Sequence, residues 1–137
     1  MKKWMFPKKT DIALPTEPVD YPIGTCASAP AGYFYINSSN TRLRIPSVRV
    51  LDSWRFQRVV HTSNAALTKY RVKGKLGFRQ GSLIYNIADG KLYLISDNKR
   101  RHITSPEALE RIGAVRNEAV TVSNDDMNLH LEGDPLN

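Results

Sequence analysis

Cys26 is the only cysteine in the chain, so no internal disulfide can form. His61, His102 and His130 are far apart and have no cysteine pair beside them, which excludes the usual zinc-binding spacings. The chain also lacks Gly-x-Ser-x-Gly, His-Glu-x-x-His, a phosphate-binding loop and a dinucleotide fingerprint. No apolar run is long enough for a membrane-spanning helix. The N-terminus, Met1-Lys-Lys-Trp-Met-Phe-Pro-Lys-Lys9, begins positively but has no apolar stretch behind it, unlike a secretory signal. The adjacent carboxylates Asp125 and Asp126 lie in a polar stretch and read as a solvated loop or helix start rather than an acid–base pair. The expectation is therefore a non-enzymatic protein, without metal or cofactor and without a membrane partner.

The remainder of the composition is that of a folded chain. With 41% hydrophobic and 24% charged residues, disorder throughout is not expected. A net charge of +7 at neutral pH points either to an acidic partner or to a solvated basic face.

What the sequence does contain is itself, twice. Gly24-Thr-Cys, Gly32-Tyr-Phe-Tyr-Ile36, Arg42-Leu-Arg-Ile-Pro-Ser47, Ser63-Asn64 and Leu67 recur in order. Their counterparts are Gly81-Ser-Leu, Gly90-Lys-Leu-Tyr-Leu-Ile95, Arg100-Arg-His-Ile-Thr-Ser105, Ser123-Asn124 and Met127. The offset drifts only from about 57 to about 60 residues, a change that loops absorb. The division implied is an extended arm over 1–23, a first repeat over 24–80 and a second over 81–137. Each copy, at roughly 55–60 residues, is near the lower limit for folding alone, so the copies are expected to share a core or lean on neighbours.

Within the arm, Pro7, Pro15, Pro18 and Pro22 recur too often for a helix. Trp4, Met5 and Phe6 are apolar anchors at its front, and their exposure in a free tail would be costly. In the first repeat, Tyr33–Ile36 and Arg42–Ile45 read as strands around the turn cluster Asn37–Asn40, and Val48–Phe56 reads as a short helix. In the second, Leu83–Tyr85 and Leu92–Ile95 flank a turn with Asp89-Gly90, and Arg101–Ile103 follows as a third strand. Thr104-Ser105-Pro106-Glu107 starts a helix that Gly113 ends, and Val120–Val122 is a further extended piece. The fold class is α+β, mostly β: two tandem copies of a three-stranded meander plus a short helix, preceded by an arm.

The basic run Lys99-Arg100-Arg101-His102, with Arg42 and Arg44 in the equivalent strand, is the best candidate for binding an acidic partner. Strand alternation places Lys99 and Arg101 on one face, Arg100 and His102 on the other. Phosphate contacts by these cations, with stacking on Tyr35 or Tyr93, would make a nucleic-acid site. That partner is not favoured, because both tyrosines fit strand cores more simply.

Gly81-Ser-Leu-Ile84, Gly90-Lys-Leu-Tyr-Leu-Ile95 and Asn98-Lys-Arg-Arg-His-Ile-Thr-Ser-Pro-Glu-Ala-Leu109 together resemble a short repeat of tailed-phage structural proteins. Some bacterial surface and cell-wall proteins carry similar repeats beside a separate catalytic domain. The first copy departs from the pattern, with Val48 where the helix-start proline stands. The resemblance implies a virion structural protein of the neck, tail or capsid surface, assembled in the host cytoplasm. Its partners would be other virion proteins and copies of itself, met through the arm and the β-rich repeats. The alternatives are a cell-wall or anionic-polymer binding module and a small basic nucleic-acid-binding protein.

Overall fold

Both copies build the same five-stranded sheet, with the strands in the same spatial order. The computed structural model describes residues 13–137, so Trp4, Met5 and Phe6 lie outside the described residues. In the first copy the strands are β1 (Cys26–Ala29), β2 (Gly32–Ile36), β3 (Thr41–Arg44), β4 (Val59–His61) and β5 (Arg71–Lys75), ordered β4-β1-β2-β3-β5. In the second they are β6 (Leu83–Asn86), β7 (Lys91–Ser96), β8 (Lys99–His102), β9 (Val120–Val122) and β10 (Leu131–Glu132), ordered β10-β8-β7-β6-β9. The expected meander forms the centre of each sheet, and two short strands widen it. After a helix, α1 (Val48–Trp54) or α2 (Pro106–Arg111), the chain returns beside the first strand and runs parallel to it. A third helix, α3 (Asn124–Met127), matches the 3-10 turn at Ala65–Leu67.

Several hydrogen bonds recur at matching positions of the two copies. The amides of Gly24 and Gly81 donate to the carbonyls of Ile36 and Ile95, both at 2.8 Å. Leu76 N–H reaches the Arg44 carbonyl, and Leu136 N–H reaches that of His102, again both at 2.8 Å. Ser47 and Ser105 cap the two helices by accepting from the amides of Val50 and Ala108. The drift in sequence offset is loop length: the first two strands are joined through 30–31 in one copy and 87–90 in the other. At the next hairpin, β7 and β8 are joined by Asp97 and Asn98, both at positive φ, the tight two-residue turn that matches strand twist.

The chain divides into two compact units, the described part of 1–43 with 58–73, and 44–57 with 74–137. This division crosses the repeat limits of 24–80 and 81–137, because α1 groups with the second sheet. In the first unit Ala27, Phe34, Ile36, Leu67 and Tyr70 form a buried cluster. Residues 13–23, expected to belong to an extended arm, are bonded within this unit: Val19 N–H donates to the Ala66 carbonyl and Ser63 Oγ to that of Pro15. In the second unit Leu83, Ile103 and Ala108 form one cluster. Ile84, Tyr93, Ile95, Val122 and Met127 are also buried, and Ile84, Tyr93 and Ile95 occupy the places of Ala27, Phe34 and Ile36. Edge strand β5 carries Arg71, Lys73 and Lys75 on exposed positions, a charge pattern that discourages stray edge pairing.

The two serine caps are equivalent in geometry, so Ser47→Ala and Ser105→Ala should each cost about 1 kcal/mol in urea unfolding. A cost at only one of them would contradict that equivalence.

Candidate functional site

The basic strand is largely committed to its own unit. On β8, Lys99 is exposed. Arg100 directs Nη1 to the carbonyl of Met127 at 3.0 Å and to that of His130, tying down the turn after α3. Arg101 Nε donates to the Asp134 carbonyl at 2.8 Å. Lys99 and Arg101 share a face, since both side chains approach the Cα of Gly133. His102 lies on the other face, its ring 5.6 Å from that of Tyr93. In the first unit, Arg42 stacks its guanidinium over Phe34, 4.3 Å from the ring centre. Arg44 is exposed. Of the five cations singled out from sequence, Arg44 and Lys99 are exposed, whereas Arg42, Arg100 and Arg101 are partly buried. Tyr93 is core, and its hydroxyl donates to Asp89; burial and that carboxylate push the phenol up to about 12.

Asp126 is not solvated, contrary to expectation. It sits in the first turn of α3, 4% exposed, and receives Arg49 Nε from α1 at 2.7 Å. The first copy has Ala66 at this place, also buried. Asp125 beside it is exposed, as a solvated helix start requires.

The feature that sequence reasoning missed is His130. Its ring is buried, accepts the Phe78 amide at Nε2 (2.9 Å) and places Nδ1 3.0 Å from the Asn98 carbonyl. An acceptor at Nε2 and a carbonyl facing Nδ1 require the neutral ring with its proton on Nδ1. Gly77 lets the ring in: a Cβ there would lie 2.4 Å from Cε1 and 2.6 Å from Nε2. The Gly77 carbonyl in turn accepts Trp54 Nε1 from α1 at 2.8 Å, and Trp54 stacks on Phe56. Burial lowers the His130 pKa and the Arg100 charge lowers it further, against the opposing pull of the Asn98 carbonyl. The aligned position in the first copy is Tyr70, whose hydroxyl accepts the Tyr21 amide at 2.7 Å. Aligning the two copies through Ser63/Ser123 and Leu67/Met127 sets Tyr70 opposite His130, a signal already present in the sequence.

Beside α1 a groove of about 520 Å³ opens between Arg49, Arg55 and Arg79 and the carboxylates of Asp52 and Glu118, with Phe78 among its apolar walls. Because Arg49 is engaged by Asp126, the remaining charges balance and no strong anion trap results. The Cys26 thiol is buried and pushed up to about 11 by desolvation, so it stays protonated at neutral pH. Among the described residues no group of three His, Cys, Asp or Glu side chains is placed to hold a metal ion, and no helix is long and apolar enough to cross a membrane. Comparison with protein-family models, curated proteins and solved structures finds no match.

Removing Arg49 would leave the Asp126 carboxylate buried without its cation. Arg49→Ala should lower stability by roughly 1–3 kcal/mol, the half-exposed arginine tempering the cost of a fully buried pair. Adding Asp126→Ala, which reproduces the first copy, should recover most of the loss in a double-mutant cycle read by urea unfolding.

Proposed function

We propose that this chain is a non-enzymatic structural protein that assembles with its neighbours, of the kind found in the neck, tail or capsid surface of a tailed-phage virion. The observation that carries this reading is the preservation of one hydrogen-bonded skeleton while side-chain chemistry changes between copies. Tyr70 becomes His130, yet each accepts the amide at its aligned partner, Tyr21 or Phe78, and the backbone bonds made by Gly24 and Leu76 recur at Gly81 and Leu136. A catalytic site ties chemistry to a residue type; a repeated scaffold ties shape to a position. The virion assignment, and assembly in a host cytoplasm, draw on the repeat pattern of Gly81–Leu109.

The arm would supply further contacts through Trp4, Met5 and Phe6, summing weak interactions across many copies. A second reading, an anionic-polymer or nucleic-acid binding module, draws on the exposed cations Arg71, Lys73 and Lys75 of β5.

Light scattering after size exclusion at moderate salt should give a discrete oligomer. Deleting residues 1–12 should abolish that oligomer and leave the circular dichroism of the body unchanged. A monomer at every concentration that instead binds nucleic acid or cell envelopes, with affinity falling steeply as salt rises, would replace the assembly reading with the second one.

A further inference from the structure

We propose that His130 is an acid-operated latch that holds the Ser53–Trp54 end of α1 and releases that end when the ring takes up a proton. The Phe78 amide points its hydrogen at Nε2, and the Asn98 carbonyl faces Nδ1, so both ring nitrogens are spoken for in the neutral state. A proton added at Nε2 would face the Phe78 N–H, donor against donor, and that hydrogen bond must break. The Gly77 backbone leaves no slack for the ring to shift, since the ring already occupies the space a Cβ would need.

What Gly77 holds is the helix. Its carbonyl binds Trp54 Nε1, and the next amide but one, that of Arg79, donates to Ser53 Oγ at 3.2 Å. Two side chains of α1, Trp54 and Ser53, therefore rest on the segment that His130 fixes. Arg49, by contrast, pairs with Asp126 on α3 and does not depend on the ring.

The groups around the latch do not rescue a charged ring. From β8, the Arg100 guanidinium donates to the His130 carbonyl and repels an imidazolium. From α3, Asp126 is neutralised by Arg49. From the segment at 77–78 and the turn at 98, the bonded groups are backbone. The ring's pKa in the folded chain is below its ordinary value near 6.5, so its stabilising contribution is complete above that value. It is lost as pH falls through the lowered folded value, where the unfolded chain binds the extra proton more readily. The first copy has no imidazole at this place, since the Tyr70 hydroxyl accepts the Tyr21 amide there.

The chain has two tryptophans, so a Trp4→Phe background makes Trp54 the sole indole reporter. On lowering the pH, Trp54 emission should shift reversibly to the red with a midpoint below about 6.5, while far-ultraviolet circular dichroism holds steady. His130→Gln keeps an acceptor and a donor but does not titrate, and its emission should stay flat over the same range. His102→Gln should leave the transition in place. The proposal is overturned if His130→Gln shows the wild-type transition, or if Trp54 responds only together with global unfolding. Nitrogen-15 spectra of the wild-type imidazole give a measurement that needs no variant. They should show the Nδ1–H tautomer at neutral pH, and a ring protonation that coincides with the Trp54 midpoint. Separated midpoints would overturn it as well.

Discussion

The structure depends on how each copy disposes of one backbone amide. Just before the first strand, at Tyr21 and at Phe78, the chain enters the module and its N–H has no strand partner. A buried amide without an acceptor costs as much as a lost hydrogen bond or more. Both copies meet the demand from the far end of the module, with the Tyr70 hydroxyl or the His130 ring. The bonds span 49 residues in one copy and 52 in the other, so each ties the entry of its module to its last turn. Four strands of each sheet lie between the bonded residues, and the last, β5 or β10, begins directly after Tyr70 or His130.

The copies differ where the second has something extra to hold. Tyr70 also donates back to the Tyr21 carbonyl, closing the first latch on itself. His130 instead turns its second nitrogen to the Asn98 carbonyl, and Arg100 caps the carbonyls around it. With Trp54 on Gly77, Ser53 on Arg79 and Arg49 on Asp126, the second latch sits under a helix contributed by the first repeat. Burial of Asp126, where the first copy has alanine, makes sense only with that helix in place.

Local chemistry made much of this legible in advance. The cap before Pro106, Pro106 itself at the helix start, Gly113 at the helix end and the Asp89-Gly90 turn each act within a few residues, and each appears where the sequence puts it. The doubled pattern made the shared sheet legible as well. Val120-Thr-Val122 already read as extended, but the short strands β4, β5 and β10 were harder, because two to five residues with little burial take their identity from a distant partner. The Arg49–Asp126 pair spans 77 residues, and nothing local marks either member as buried. On β8, Lys99 is exposed while Arg100 and Arg101 serve carbonyls, since a guanidinium can satisfy the orphan oxygens of a turn.

The direct test of this account is residue-resolved amide hydrogen exchange at neutral pH, read at Tyr21 and Phe78. Both precede their strands by several residues, so open-loop rates would be expected of them if the latches did not exist. The account predicts that both amides are protected to a degree comparable with the strand amides of their own sheets. Exchange of either one at the rate of a solvent-exposed amide, with its sheet still protected, would contradict the account.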